Sequence, residues 1–287
     1  MRIRTIPTHY YQHHDADFDA AVPAEGYGGW QRAELPLDLD KTAVVVMHAW
    51  NARTREQYPG WHRAVEYLPR AARLQEEVFP PLLGAVRSAG MKLFHVVSPD
   101  HYYESYPGYA RTLAIAGEEE ETAPEQMAMD EVALELQRFR YRHGFPGDHN
   151  RSDIEAAFAS LSFMPQSEPQ GDEEIAATDR QLYALCRHYG ITHLIYVGFA
   201  INWCLLLSQG GMASMSRHGI LCSAVRQAVT AVENRETASR ELNKEAALWR
   251  VSLAFGFVYD AEELIERLSS LPADHGSLQN SNQGEGE

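Results

Sequence analysis

The segment TAVVVMH, from Thr42 to His48, constrains the fold of this chain more than any other stretch. It is a continuous apolar run rich in β-branched residues, which is typical of a strand buried on both faces of a parallel sheet. A helical pattern follows from Leu68 to Gly90, interrupted near Pro80, and a second apolar run extends from Met91 to Ser98. This order predicts a strand–helix–strand unit.

The alternation of strands and helices continues in the second half of the chain. The pattern predicts a short strand from Ser160 to Pro165, a helix ending at Gly190, a strand in ITHLIYVGFA, and a helix from Cys204 to about Arg217. Two further strands, in GILCSAV and AFGFVYD, each precede a helical segment. Such alternation predicts an α/β fold with a parallel sheet covered on both faces.

The domain organisation follows from composition along the chain. Residues 1–40 mix His, Tyr, Asp, Gly and Pro without periodicity, and they are expected to form an irregular N-terminal arm. Residues 41–271 show no internal repeat and no change of composition, which predicts one domain. Residues 272–287 are polar and rich in Gly, Ser and Asn, so we expect a disordered tail.

Charge and composition exclude several classes of partner. The formal net charge is −15, which disfavours nucleic acid and anionic membrane surfaces, because both require a basic face. No apolar run approaches the roughly 20 residues that cross a bilayer, and the first residues hold no apolar signal region. Three cysteines without a CxxC pair suit a reduced, cytoplasmic setting. A small-molecule substrate is therefore expected.

Four segments follow predicted strands at their carboxyl ends, where ligands bind in open parallel sheets. They are His48 to Asn51, Ser98 to His101, the loop after Met164, and Ile201 to Cys204. Cys204 would lie in the first turn of a helix, where backbone N–H groups and the helix dipole favour a thiolate. Its alternative role is that of a small buried core residue.

Three segments resemble the isochorismatase-like cysteine hydrolases. AVVVMHAWN is similar to their first strand, which ends in Asp-Met-Gln-Asn, and RSAGMKLFHVVSPDH to their next strand. ITHLIYVGFAINWCLLLS is similar to their nucleophile motif, Gly-Val-Ala-Thr-Asn-x-Cys-Val. The resemblance covers Thr42 to Ser98 and Arg180 to Val225. It implies a Rossmann-like, three-layer α/β/α sandwich with a mostly parallel six-stranded sheet, and a dimer or tetramer.

The resemblance also implies hydrolysis of small amides and other C–N bonds by an Asp–Lys–Cys triad. Cys204 matches the nucleophile, and Gly198 and Asn202 match the residues around it, with Ile201 in place of Thr. Asn51 matches the Asn of the first motif, but His48 occupies the position of the Asp. The chain has three lysines, Lys41, Lys92 and Lys244, and none lies where the family places its own.

Three interpretations follow. In the first, His48 acts as the base for Cys204, because a neutral imidazole accepts a thiol proton without help from a lysine. In the second, the chain is a catalytically silent family member, a pseudoenzyme that binds a small ligand or a protein partner in the same cleft. In the third, different chemistry uses that cleft. Trp50, Asn51, Asp100, His101, Ile201, Asn202 and Trp203 are the expected substrate contacts.

No cofactor is expected, since the glycine-rich GYGGW follows no strand and opens no helix. Nicotinamidase-like family members hold a divalent metal through Asp-x-His. In this chain Asp100 and His101 are adjacent, with His62 or His95 as further candidates, so a metal near Asp100 is the weaker alternative.

Overall fold

The computed structural model describes residues 2–98, 101–117 and 126–270. Its strands are β1 (Ile3–Gln12), β2 (Gly29–Asp38), β3 (Thr42–Met47), β4 (Lys92–Val96), β5 (Ile175–Ala176), β6 (His193–Gly198), β7 (Leu221–Val229) and β8 (Val258–Tyr259). Its α-helices are α1 (Pro59–Ala64), α2 (Leu68–Glu77), α3 (Phe79–Ser88), α4 (Pro107–Ala116), α5 (Glu131–His143), α6 (Arg151–Phe158), α7 (Asp179–Tyr189), α8 (Cys204–Leu207), α9 (Met212–Arg217), α10 (Leu242–Ala254) and α11 (Ala261–Ser269).

The strands of the described residues form one eight-stranded sheet in the order β2-β1-β8-β7-β6-β3-β4-β5. The strands from β8 to β5 in this order run parallel, while β1 is antiparallel to both β2 and β8. The α/β class is therefore confirmed, but the expected six-stranded sheet is wrong. The mixed sheet has eight strands because a hairpin extends the parallel part.

That hairpin corrects the expected irregular arm at residues 1–40. β1 and β2 pair over their full length, from Ile3 opposite Asp38 to Gln12 opposite Gly29. Each of the two strands contains a proline, Pro7 in β1 and Pro36 in β2, and proline disfavours a strand prediction. Proline is tolerated here because β2 is the edge strand and β1 pairs with β8 at only two residues. The predicted tail, residues 272–287, lies outside the described residues.

β3 shows why a continuous apolar run is needed in the middle of the sheet. Val44 and Val46 pack into one hydrophobic core, with side chains from α2, α3 and α11. Val45 and Met47 pack into a second core, with side chains from α7, α8, α9 and α10. The sheet is thus covered by helices on both faces, as the sequence predicts.

Two predicted elements differ from the structure. The strand expected at Ser160 to Pro165 is a single antiparallel bridge between Phe163 and Trp50, and the sheet instead takes β5 from the segment after it. The helix expected from Cys204 to Arg217 is broken between α8 and α9. α8 ends at Leu207 because the next residue, Ser208, adopts an extended conformation with a ψ of 172°.

The break expected near Pro80 in the long helical segment is confirmed, since α2 ends at Glu77 and α3 begins at Phe79. Within the described part of the chain, no helix combines the length and apolar character that crossing a membrane requires.

Candidate functional site

The ends of β3 and β6 bring two of the predicted segments together. Met47 is the register partner of Gly198, and the backbone N–H of Phe199 donates to the carbonyl of Met47 at 3.1 Å. Gly198 has a φ of 126°, and a Cβ there would lie 1.9 Å from the Met47 carbonyl oxygen. Only glycine permits this close approach, so β3 and β6 leave the sheet side by side, at His48 and at Phe199.

Cys204 begins α8 and is partly buried. α8 has four residues, so it is a single turn, and few aligned peptide dipoles point at the thiol. The expected activation of Cys204 by a long helix therefore has no support in the structure. The environment of the thiol is set instead by a cavity.

The Cys204 cavity has a volume of about 250 Å³. Its lining residues are aromatic and aliphatic apart from Cys204, and the only polar side-chain groups that they carry are the Cys204 thiol, the Tyr67 hydroxyl and the indole N–H groups. The lining residues are Trp50, Trp61, Val65, Tyr67, Leu68, Phe145, Pro146, Ile154, Phe158, Trp203 and Cys204. No charged side chain is among these residues, and this excludes the three lysines.

Tyr67 is a cavity residue that the sequence interpretation missed. It is 9% exposed, and its hydroxyl has no hydrogen-bond partner among the described residues. Burial raises its pKa well above the ordinary value, and the nearby Cys204 thiol raises it further. The hydroxyl is therefore protonated at neutral pH and is available as a donor beside the sulfur atom.

His48 lies directly after β3 in a left-handed conformation, with a φ of 53°, and is 6% exposed. Its backbone N–H donates to the carbonyl of Val96 at 3.0 Å, and its ring is stacked on Trp50 at a centroid distance of 4.9 Å. Burial lowers the pKa of His48 to about 4, so the ring is neutral at pH 7.

The relation of His48 to the cavity is indirect. Its Nδ1 atom is buried without a hydrogen-bond partner in the described structure, and no hydrogen bond joins its ring to Cys204 among these residues. The ring contacts the cavity wall through Trp50, which is itself a lining residue. His48 is therefore not a lining residue, but it contacts one, Trp50.

Trp50 and Asn51 have different roles. Trp50 lines the cavity, and its carbonyl accepts a hydrogen bond from Gln75 at 3.1 Å. The Asn51 side chain accepts from the backbone N–H of Arg53 at 3.0 Å, and the backbone N–H of Asn51 donates to the carbonyl of Ser162 at 2.9 Å. Asn51 therefore fixes the loop after β3 and is not a lining residue.

The residues before Cys204 are mainly structural. Ile201 is fully buried, and its N–H donates to the carbonyl of Thr230 at 2.8 Å. The Asn202 amide donates to the carbonyl of Val232 at 2.9 Å and accepts from its N–H at 2.8 Å. Trp203 differs, because it is 50% exposed and lines the cavity edge near the ring of Phe145.

The alternative metal site falls partly outside the described residues, since Asp100 is not among them. His101 is exposed and its Nδ1 lies 2.7 Å from Glu104. His62 Nε2 lies 3.2 Å from the carbonyl oxygen of Ala52, and the fully buried His95 lies 3.0 Å from Glu173. Across residues 2–98, 101–117 and 126–270, no group of three or more metal-ligating side chains converges.

The cavity residues come from distant parts of the sequence. Trp61 and Phe158 pack with ring centroids 5.8 Å apart and join α1 to α6. Phe145 and Pro146 follow α5, while Tyr67 precedes α2. Trp50 and Trp61 belong to the segment that follows β3, whereas no local pattern indicated the residues from the middle of the chain.

Comparison with known proteins gives fold-level matches. No family model and no curated protein matches this chain. A solved cysteine hydrolase from Pseudomonas syringae pv. phaseolicola 1448A matches 82% of this chain and 95% of its own, with 13% identity and a TM-score of 0.45.

Two further solved structures match over 80% of this chain with TM-scores of 0.40. They are an isochorismatase family protein from Burkholderia thailandensis, 14% identical and matched over 97% of its length, and an isochorismatase-like hydrolase from Alkaliphilus metalliredigens, 15% identical and matched over 98%. These names are those of the family that the sequence motifs resemble. At such scores the matches assign no activity and no site residue to this chain.

Proposed function

We propose that this protein is a cysteine-dependent hydrolase that cleaves a C–N bond in a small, uncharged substrate with an aromatic or branched apolar group. The observation that supports this most directly is the position of Cys204 on the wall of an apolar cavity beside the protonated Tyr67 hydroxyl. A nucleophile and a hydrogen-bond donor on one wall are the minimum that acyl transfer requires.

The cavity indicates the substrate class. Its volume of about 250 Å³ is just below the usual range for ligand pockets and suits one ring with a short substituent. A charged substrate would lose its hydration without gaining a counter-ion from the lining side chains, which is costly. Aromatic primary carboxamides combine the right size, shape and neutrality.

The proposed reaction begins with attack of the Cys204 sulfur on the amide carbon. The thiol proton moves to the neutral His48 imidazole, directly or through one water molecule, and the C–S bond forms. Tyr67 donates a hydrogen bond to the carbonyl oxygen as that atom becomes negative. His48 then returns the proton to the amine as the C–N bond breaks, and water hydrolyses the thioester.

The low pKa of His48 determines when the proton leaves the Cys204 thiol in this mechanism. A buried imidazolium is unfavourable, so a resting thiolate–imidazolium pair is not expected. Proton transfer should instead accompany the attack on the carbonyl carbon. The reaction would be slower than one that begins from a preformed thiolate.

The second candidate function is ligand binding without turnover, the pseudoenzyme alternative. It is favoured by two observations: no hydrogen bond joins His48 to Cys204 in the described residues, and no lysine or carboxylate lines the cavity. In this case the apolar cavity would hold the same class of molecule, and the thiol would be part of its wall.

One experiment separates the two functions. The protein and its Cys204→Ala variant are incubated with benzamide and related amides, while ammonia release, binding heat and acyl adducts on intact protein are measured. Ammonia release that depends on Cys204 supports hydrolysis. Binding heat in both proteins without ammonia or adduct supports ligand binding alone, and the absence of binding contradicts both proposals.

A further inference from the structure

The helix α5 presents an apolar surface that the Cys204 chemistry does not use. None of its 13 residues is buried. Val132, Leu136 and Phe139 are 65%, 65% and 64% exposed, and they follow one another at intervals of four and three residues. They therefore lie on one face of the helix, and we call them the α5 stripe.

The α5 stripe needs an explanation because of the length of the helix. An isolated helix of this length is marginal in water, and most helices gain stability by burying an apolar face. The links of α5 to the body include an ion pair from Arg142 to Asp148 and the Arg151 guanidinium over the ring of Tyr141. Neither of these links covers the stripe, so it is available to a partner.

The charges beside the stripe are separated along the helix. Glu131 and Glu135 lie in its first half, and Arg140 and Arg142 lie in its last turns. Two such helices are complementary when they run antiparallel, because the acidic half of each then faces the basic half of the other. A nucleic acid, an anionic membrane or a uniformly charged protein would be attracted by one half of this helix and repelled by the other half.

We infer that α5 packs antiparallel against α5 of a second copy of this chain, across a two-fold axis. Spacings of four and three residues form the seam of a two-helix coiled coil, in which Leu136 would face the partner's Phe139. Such an interface is isologous, since the same patch serves both copies.

Charge pairs would fix the antiparallel direction. Glu135 and Arg142 are seven residues apart and therefore lie on the same flank of the stripe. In the dimer Glu135 lies beside the partner's Arg142. The existing pair of Arg142 with Asp148 is compatible with this arrangement, because both side chains are at least 49% exposed and a guanidinium has several donors.

The inferred dimer does not depend on the proposed hydrolysis, but it would lie next to the cavity. Phe145 and Pro146 follow α5 directly and line the Cys204 cavity, and Phe145 is 44% exposed. A second copy seated on α5 would therefore stand near the cavity mouth.

The first test measures the mass of the full chain in solution by light scattering. The wild-type protein should have a mass of two chains of 32.3 kDa or a multiple of two, and Leu136→Glu should at least halve it. Leu253→Glu is the matched control, a leucine on α10 that is 46% exposed, and should leave the mass unchanged. A monomeric wild type, or a Leu136→Glu variant of unchanged mass, would overturn the inference.

The second test examines the antiparallel direction. Glu135→Arg makes the flank wholly basic, and Arg142→Glu makes it wholly acidic, so each variant alone should lose association. An equimolar mixture should recover the wild-type mass as a heterodimer, with circular dichroism confirming that both variants are folded. Full association of either variant alone, or no recovery in the mixture, would contradict the arrangement.

Discussion

The Tyr67 hydroxyl and the Cys204 thiol share the wall of one apolar cavity, and the nearness of the thiol adds to burial in raising the pKa of Tyr67. Tyr67 is 9% exposed, and its hydroxyl has no hydrogen-bond partner among the described residues. A substrate carbonyl entering the cavity would supply the missing acceptor.

We predict that Tyr67→Phe lowers kcat for the best amide substrate by about 100-fold, the usual effect of removing one oxyanion donor. KM should change little, because the ring remains in the cavity wall. Stability should change by less than about 1 kcal/mol, since no described residue loses a hydrogen bond. Steady-state kinetics and urea unfolding measure both effects.

Tyr58→Phe is the matched control for that substitution. The Tyr58 hydroxyl lies 2.9 Å from Ser160 Oγ and does not line the cavity. The control should therefore lose about 1 kcal/mol of stability and keep its kcat. Equal kcat values for wild type and Tyr67→Phe would remove Tyr67 from the mechanism.

His48→Asn should lower kcat by about 100-fold or more, because asparagine accepts the left-handed backbone but cannot take up the thiol proton. In the wild type, kcat/KM should stay on its plateau as the pH falls to about 5, because the pKa of His48 is about 4. A loss of activity centred near the ordinary histidine pKa of about 6.5 would contradict the assigned base.

Stability should also depend on buried histidines. Burial lowers the pKa of both His48 and His193 from 6.5 to about 4, so between these values the unfolded chain binds protons that the folded chain does not. The free energy of unfolding should therefore be highest above about pH 6.5 and should fall as the pH decreases towards 4.

His193→Gln tests this pH dependence, since glutamine can keep a hydrogen bond to Ser223 without titrating. Between pH 6 and pH 5 the free energy of unfolding should decrease less steeply in this variant than in the wild type. The difference between the two slopes should be about 1.4 kcal/mol per pH unit. His14→Gln, at a side chain that is 60% exposed, should behave like the wild type. Identical slopes for wild type and His193→Gln would show that His193 is not a source of the acid sensitivity.

Asn202→Ala should cost about 2 kcal/mol of stability, because the backbone N–H of Val232 loses its acceptor and the Val232 carbonyl keeps only the Asn243 amide, at 3.1 Å. The KM of the variant, measured where it is fully folded, should remain within about twofold of the wild type, since Asn202 is not a lining residue. A large rise in KM with unchanged urea unfolding would instead restore Asn202 as a substrate contact.

The central part of the fold could be predicted from the sequence because its strands are buried on both faces. β3, β4, β6 and β7 stand out as apolar runs, and β3 supplies alternate residues to two cores. β1 and β2 could not be predicted in this way, since their pairing depends on each other and on a two-residue contact with β8.

Only those residues of the site that follow closely after a parallel strand could be predicted from the sequence. The sequence located Cys204, Trp50 and Trp203, because residues after parallel strands meet at one edge of the sheet. It did not locate Tyr67, Phe145 or Phe158, because their approach to Cys204 depends on how α2, α5 and α6 are placed over that edge. It indicated His48 by its position after β3, but not that the ring would contact the cavity through Trp50.

The most direct test of the central claim compares the three cysteines under alkylation by N-benzyl chloroacetamide, with peptide mapping by mass spectrometry. Cys186 and Cys222 are internal controls, because burial raises the pKa of each to about 12. We predict that Cys204 is labelled at least ten times faster than either, that the benzyl reagent reacts faster than chloroacetamide itself, and that excess benzamide slows this labelling. Labelling of Cys204 no faster than that of Cys186 or Cys222, or without preference for the aromatic reagent, would contradict a nucleophile in an apolar substrate cavity.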